Sequence, residues 1–451
     1  MKIIIVGCGK VGSTLAEQLD YEGHDVTIID NKPTAIQAVS NVLDIMHVVG
    51  NGANYQTQLE AGVKEADLLI AVTSSDELNL LCCLIAKKAG NCNTIARVRN
   101  PEYTQGLSII KEDLGLSMLI NPEQAAALEI ARLLRLPSAI KIDTFAKGKV
   151  ELLKVLVPEQ SMLHDMRIMD MIVKLNYKVL VCAIERGEEV FIPSGNFVLH
   201  SGDKISIVAS PKNALKFFRQ IGIVSNPVKH VMVVGGSKIA YYLALFLEQA
   251  DIRVKIIEQN KARCQELSEL LPNADIVYGD ATEQQMLTEE GIEHIDGFAS
   301  LTNLDEENIL LSLFASKKAK AKIITKISRS TFEDVIQDLP IGSTINPKLI
   351  TAENIIQYVR AMHNSMGSNV ETMYKLVGNK VEALEFRAKE GSPVLNIPLE
   401  KLQLKKNLLV SCINRQGKII IPSGKDVIHA GDTVIIVTTL PGLDDLNDIL
   451  K

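Results

Sequence analysis

Lys2-Ile3-Ile4-Ile5-Val6-Gly7-Cys8-Gly9-Lys10-Val11-Gly12 decides the fold. A short continuous apolar run reads as a strand buried on both faces of a parallel sheet. G-x-G-x-x-G follows it directly and opens a helical stretch from Val11 to Tyr21, and a second apolar run ends at Asp30. In this pattern Gly7 permits the tight turn, Gly9 lets backbone N–H groups approach a pyrophosphate, and Gly12 brings helix and strand together. The helix N-terminus then holds the anion. Gly7, Cys8, Gly9, Lys10, Val11, Gly12 and Asp30 are therefore expected to line a nucleotide site. Asp30 would accept hydrogen bonds from ribose hydroxyls and repel a 2′-phosphate, which favours NAD or an adenine nucleotide with an unphosphorylated ribose over NADP. A phosphate-loop ATPase is the competing reading, because Gly7 and Gly12 precede Ser13-Thr14. The lysine that such a loop sets on the β- and γ-phosphates is missing.

Working outward, the chain repeats itself. Ile3-Ile4-Ile5-Val6-Gly7 returns as Val231-Met232-Val233-Val234-Gly235, and Val26-Thr27-Ile28-Ile29-Asp30 as Val254-Lys255-Ile256-Ile257-Glu258. Gly50-Asn51 returns as Gly279-Asp280, and Thr73, Asp76, Glu77 and Asn79 as Thr302, Asp305, Glu306 and Asn308. Ile192-Pro193-Ser194-Gly195 and Gly202-Asp203 return as Ile421-Pro422-Ser423-Gly424 and Gly431-Asp432. A near-constant offset over the whole length means two homologous halves. Each half opens with buried strands alternating with helices and closes with alternating strands around a hairpin signal, Arg186-Gly187 in the first copy. The expected architecture is α/β: two Rossmann-like lobes, 1–135 and 228–362, each followed by a smaller α+β lobe, 140–222 and 370–451. A helix is expected after the last strand of each small lobe.

The second glycine turn, Gly235-Gly236-Ser237-Lys238-Ile239-Ala240, departs from the first. Ser237 stands where the second glycine belongs; its Cβ would crowd a diphosphate although its hydroxyl could bond one, while Glu258 keeps the ribose acid. The second site is thus either a nucleotide site or a degenerate copy. Asn51 and Asp280 follow third strands and either meet an adenine edge or simply make a turn. Thr73, with Ser74, either caps the next helix or reaches a phosphate or ribose. Arg97 and Arg99, on one face of a fifth strand, either pair with a phosphate or form a surface ion pair. Lys326 and Arg329 are inexact echoes of them.

Composition narrows the classes further. The 451 residues are 47% apolar and 23% charged, the balance of a folded protein several domains long. A net charge of −6 argues against nucleic acid as a partner. Seven cysteines without a C-x-x-C argue against a disulfide framework or thiolate metal site and for a reducing compartment. No apolar stretch is long enough for a membrane span, and the N-terminal one is too short for a signal segment. His200 and His429 recur before Gly202-Asp203 and Gly431-Asp432, as turn residues would, and no metal-ligand spacing or catalytic constellation emerges, so neither a metal site nor an enzyme is expected.

Lys2 to Gly12, Val48-Val49-Gly50-Asn51, Thr73-Ser74-Ser75-Asp76-Glu77-Leu78-Asn79, Ala96-Arg97-Val98-Arg99-Asn100-Pro101-Glu102-Tyr103 and Ile192-Pro193-Ser194-Gly195 together resemble RCK (KTN) domains. In tandem and over essentially the whole chain, they are similar to the peripheral nucleotide-binding subunits of Trk-type potassium uptake. The resemblance implies a cytoplasmic homo-oligomer, often tetrameric, peripheral on the inner face of the membrane. It implies docking on a potassium-translocating subunit and gating by NAD(H), ATP or ADP. It places the glycine turn on Gly7, Gly9 and Gly12, the ribose acid on Asp30 and phosphate-facing arginines on Arg97 and Arg99; in the second half the acid falls on Glu258. An efflux system would differ only in its membrane partner. The rival class is an NAD-dependent oxidoreductase, since the same fingerprint serves dehydrogenases.

Overall fold

A computed structural model describes residues 1–100, 103, 114–135, 141–145, 150–175, 179–221, 228–329, 336, 339–365, 370–376, 380–440, 442–443 and 445–451. Leu136-Pro137-Ser138, whose proline makes a breaker between the first two lobes, lies outside them. The first lobe holds β1 (Lys2–Val6), α1 (Lys10–Tyr21), β2 (Asp25–Asp30), α2 (Pro33–Ser40), β3 (Met46–Val49), α3 (Tyr55–Glu60), β4 (Leu68–Ala71), α4 (Asp76–Gly90), β5 (Asn93–Arg97), β6 (Met118–Ile120) and α5 (Pro122–Arg135). Its sheet runs β3-β2-β1-β4-β5-β6, all parallel, so the strand order reverses beside β1. That switch point opens a crevice at the carboxyl ends of β1 and β4.

The small lobe that follows contains β7 (Lys141–Phe145), β8 (Val150–Leu156), β9 (Met166–Arg167), α6 (Ile168–Leu175), β10 (Leu180–Arg186), β11 (Glu189–Phe191), β12 (Val198–Leu199), β13 (Lys204–Ala209) and α7 (Pro211–Gln220). Its main sheet, β11-β10-β13-β8-β7, is antiparallel, and β9 pairs separately with β12. The second half repeats the plan: β14 (His230–Val234), α8 (Lys238–Glu248), β15 (Arg253–Glu258), α9 (Lys261–Leu270), β16 (Asp275–Tyr278), α10 (Gln284–Glu289), β17 (Gly297–Ser300), α11 (Asp305–Lys318), β18 (Lys322–Lys326), β19 (Ser343–Ile345) and α12 (Pro347–Ser365). Their sheet order, β16-β15-β14-β17-β18-β19, matches the first. The last lobe has β20 (Val370–Leu376), β21 (Val381–Arg387), β22 (Leu408–Arg415), β23 (Lys418–Ile420) and β24 (Thr433–Thr438). There β24 is followed by a 3₁₀ turn, Leu446–Ile449, in place of the expected helix. Asp445 caps that turn in a reciprocal capping box with Asp448, which suits a single short turn.

The halves are interlocked. On α5, Ala126, Ala127, Ile130, Leu133 and Leu134 bury themselves with Val231, Val233, Ile239 and Leu243 of the second Rossmann lobe. On α12, Ala352, Ile355, Ile356 and Val359 bury themselves with Ile3, Ile5, Leu15 and Leu19 of the first. Each Rossmann sheet is therefore closed by the last helix of the other Rossmann lobe. Two polar ties guard the exchange. Asn121 Nδ2 donates to Tyr242 Oη at 3.0 Å, and Arg360 pairs with Glu22 through Nε at 3.0 Å and Nη2 at 2.5 Å. The small-lobe sheets meet face to face through Leu152, Cys182, Ala183 and Val208 against Val381, Ala383, Cys412 and Ile435. All seven cysteines are buried free thiols, and burial pushes Cys82 and Cys412 up to about 12. No helix among the described residues is long and apolar enough to cross a membrane.

Candidate functional site

The glycines of the first turn have different reasons to be there. Gly7 sits at φ +105°, and a Cβ on it would meet Thr73 N at 3.0 Å, because the backbone leaving β4 passes close against the turn. A Cβ on Gly12 would lie 1.8 Å from the Gly7 carbonyl oxygen, so only glycine lets α1 press against the turn. Gly9 is extended at φ −73°, and a Cβ there would meet nothing within 4 Å. The fold does not need glycine at 9; the vacant space above its backbone suits an approaching phosphate. Gly9 is also the N-cap of α1 and brings no side-chain acceptor, which leaves the first-turn N–H groups and the positive helix end facing the crevice.

Asp30 closes β2 as expected, but its carboxylate is already at work in the backbone. Oδ2 accepts from Cys8 N–H at 2.6 Å and Oδ1 from Lys32 N–H at 2.9 Å. Glu258 repeats this at the same register, accepting from Gly236 N–H at 2.6 Å and Asn260 N–H at 2.7 Å. Each acid thus fixes the glycine turn and keeps lone pairs that these bonds do not use.

In the second turn Gly235, at φ +94°, makes the same close approach, to Thr302 N. Ser237 caps α8 by accepting from Ala240 N–H at 3.4 Å. Its hydroxyl therefore turns back on the helix. The crevice around Gly235, Gly236, Ser237, Glu258, Asp280 and Thr302 holds a cavity of about 480 Å³. Three carboxylates, Glu258, Asp280 and Glu307, line it with Lys238 and Arg263. Burial, together with Asp280 and Glu258, raises the Glu307 pKa. Arg263 Nε donates to the Gly236 carbonyl at 2.7 Å. At the corresponding positions the first lobe has Asn51, Leu78 and Ala35, so the two clefts differ in charge although they share a backbone.

The turn reading accounts for Asn51 and Asp280. Asn51 Oδ1 accepts from Ala53 N–H at 2.9 Å, and Asp280 Oδ1 accepts from Thr282 N–H at 2.9 Å and Thr282 Oγ1–H at 2.7 Å. The last two bonds hold the Asp280 carboxyl below its ordinary range. The cap of α4 is Ser75, accepting from Leu78 N–H at 3.2 Å, rather than Thr73 or Ser74. Thr73 instead donates from N and Oγ1 to Asn79 Oδ1, and buried Asn79 donates onward to Arg97 O at 2.9 Å. Thr302, Asn308 and Lys326 repeat the network. Asn79 and Asn308, visible in the repeat, hold β4 to β5 and β17 to β18 beneath each cleft.

Arg97 and Arg99 do not share a strand face, because β5 ends at Arg97. Arg97 bends inward and donates from Nη2 to the Thr73 carbonyl; burial first, then Arg99, lowers its pKa. Its Nε is buried without a partner, as is Oε2 of Glu123. Arg99 lies past the strand and pairs with Glu123 through Nε at 2.6 Å and Nη2 at 2.5 Å, an intramolecular pair between the β5 end and α5. In the second half Lys326 Nζ reaches the Thr302 carbonyl at 2.8 Å in place of Arg97. Arg99 N and Asn100 N donate to Asp76, as Ser328 N and Arg329 N do to Asp305. Arg329 is therefore the counterpart of Asn100, not of Arg99.

The small lobes account for the repeated Gly-Asp. Asp203 is buried, receives a two-pronged bond from Arg186 at 2.8 and 2.7 Å, and accepts from His200 N–H at 2.8 Å. Arg415, Asp432 and His429 N repeat this arrangement. One association escaped the sequence: the adjacent His164 and Asp165 and the distant His200 each bring a donor atom within 4.8 Å of the others.

Two parallel sheets with paired glycine turns and strand-end acids, each followed by an antiparallel small lobe, define a tandem dinucleotide-fold protein. The TrkA-N domain matches residues 3–122 and 231–347 and the TrkA-C domain residues 152–222 and 383–451, so the chain belongs to the TrkA family. It is 32% identical to Trk system potassium uptake protein TrkA homolog 1 of Methanosarcina mazei over 100% of both chains. It is 31% identical to Trk system potassium uptake protein TrkA of Vibrio alginolyticus over 97% of this chain and 95% of that one. Among solved structures, the GsuK RCK domain superposes with a TM-score of 0.63 at 15% identity, covering 97% of this chain and 92% of that one. The GsuK channel bound to NAD gives 0.63 at 15% identity, covering 97% and 76%.

Proposed function

We propose that the protein is a non-enzymatic regulatory subunit of potassium uptake, whose Rossmann lobes bind NAD(H), ATP or ADP and thereby gate a Trk-type membrane subunit. Its working form in this reading is a cytoplasmic homo-oligomer, a tetramer, held at the inner face of the membrane by that partner. The observation that carries the reading is the first cleft: an uncapped helix end at Gly9, vacant space above it, and an acid beside it. Full-length likeness to Trk system potassium uptake proteins supports the partner class, and the NAD-bound GsuK channel supports the ligand class. Arg97, with a buried unpaired Nε near the crevice, is the cation we assign to phosphate. A ligand regulates only by binding two arrangements of the lobes differently, and a coupling of about 1–3 kcal/mol shifts state ratios about 5- to 150-fold.

A dehydrogenase needs an acid/base group aimed at the hydride carbon, and the lobes that follow each cleft spend their repeated Arg, Asp and His on holding turns. The experiment is calorimetry with NADH, ADP and ATP on the full chain and on Gly9→Asp. The added carboxylate fits the vacant space without disturbing the fold but meets the phosphates. Affinity in the first cleft should fall by at least about tenfold with the melting temperature unchanged. Undiminished binding would remove the assignment, and substrate-dependent NADH turnover in cell extract would favour the enzyme instead.

A further inference from the structure

We propose that the first small lobe carries a site for a divalent first-row transition ion, Zn²⁺ foremost, formed by His164, Asp165 and His200. Two imidazoles and one carboxylate are donors that Zn²⁺, Co²⁺ and Ni²⁺ accept, with Zn–N distances of about 2.0–2.1 Å. Such bond lengths need donor atoms about 3–3.5 Å apart. Here Asp165 Oδ1 lies 2.8 Å from His200 Nδ1, and Asp165 Oδ2 lies 3.5 Å from His164 Nε2. One carboxylate therefore stands between two imidazoles that approach it from different segments. The first segment is the turn ahead of β9, the second the turn after β12, and these two strands form their own ladder.

Supporting contacts orient the donors. Asp165 is held in the left-handed region at φ +56°, its N–H donating to the Leu199 carbonyl at 2.8 Å. Both Ser201 N–H, at 3.1 Å, and Ser201 Oγ, at 3.0 Å, meet His164 Nδ1 and turn Nε2 toward Asp165. With an ion on Nε2 the ring proton resides on Nδ1. There Ser201 Oγ accepts it, and its hydroxyl donates to the Glu159 carbonyl at 3.2 Å, a second shell of the kind that fixes ligating histidines. The Ser201 N–H contact is given up in that exchange.

The second small lobe supplies an internal comparison. Asn396 occupies the place of Asp165 with the same φ, +59°, and the same bond to the opposite turn, from its N–H to the Ile428 carbonyl at 2.8 Å. His429 Nδ1 meets Asn396 Oδ1 at 2.7 Å, as His200 meets Asp165. Leu395 stands in for His164. The backbone is thus common to both lobes, whereas the full donor set belongs to the first. The protein reads as placing an ion clip at the end of one ladder and a neutral hydrogen bond at the other.

The test is calorimetric titration of Zn²⁺ into chelator-stripped full-length protein, followed by Co²⁺ absorption spectra and melting curves. The expected result is one equivalent per chain and a melting temperature that rises with Zn²⁺. Acid should displace the ion, because both imidazoles must be neutral to bind. His164→Leu and Asp165→Asn install residues that the second lobe already accommodates, so they should fold; each should weaken binding by about tenfold or more. His429→Leu should leave it unchanged. Equal Zn²⁺ affinity in the parent and both first-lobe variants, or no saturable binding to the parent, would overturn the proposal.

Discussion

Gly12 and Ala240 occupy one position in two copies of a turn and show how much a single methyl decides. At Gly12 the absent Cβ would penetrate a backbone carbonyl, whereas Ala240 is wholly buried in a second turn that has relaxed to admit it. Gly12→Ala should therefore destabilise the first lobe by about 1–3 kcal/mol, the usual penalty of overpacking. Ala240→Gly should cost about 1–2 kcal/mol, from lost helix propensity together with the loss of one buried methyl. Chemical denaturation of both variants checks that each loses stability, and undiminished stability in Gly12→Ala would contradict the clash at the turn. At this scale the sequence was readable where spacing alone sets the chemistry: the glycines and both strand-end acids fall where expected. It was less readable where a strand's last residue matters. Arg97 and Arg99 are two apart, which promised one face, but β5 stops between them and sends one inward to a carbonyl and the other to Glu123.

Among elements, α12 shows how an exchanged helix is held. Its apolar stripe supplies most of the contact, and Arg360 with Glu22 supplies a pair that is only 11% and 16% exposed. Burial pushes the Glu22 carboxyl up, but the hydrogen bond and charge of Arg360 outweigh it and the net shift is downward. Arg360→Ala leaves that buried carboxylate with its Gln18 hydrogen bond but without its counter-charge and should cost about 3 kcal/mol. Arg329→Ala, which breaks the open pair with Glu306, should change stability by less than about 1 kcal/mol. Thermal unfolding of the two variants separates the cases. His24 lies at the same seam, edge-on to His363 at 5.3 Å. Burial first, then the N-terminal ammonium, His363 and Arg360, lower its pKa below 6.5 against the pull of Glu22. The folded state then binds this proton less readily than the unfolded chain, so stability falls as pH drops below about 6.5. A wild-type melting temperature that drops more than that of His24→Gln between pH 7.5 and 5.5 is the expected outcome. None of this was legible beforehand, because an apolar helical stripe looks the same whichever sheet it covers.

For the whole molecule, the duplication was legible in full and its geometry was not. Offset repeats announce two equal halves, yet say nothing about which half closes which sheet. The His164, Asp165 and His200 group escaped for the same reason, since its members meet only after two turns fold onto one ladder. The exchange of α5 and α12 makes a prediction about the halves as separate chains. A fragment of residues 1–221 exposes the sheet face that α12 covers and the stripe of α5 that the second lobe covers. It should recover both contacts by pairing with another copy of itself. Light scattering after size-exclusion chromatography is expected to give twice the fragment mass, and a stable monomer would refute the expectation.

Joined in one chain, that association no longer depends on protein concentration. The tether behaves as a high local molarity, so dilution that would dissolve a pair of separate fragments leaves the fused partners together. Fusion also frees the copies to diverge: one crevice can become acidic and the other stay nearly neutral, while every assembly still contains one of each.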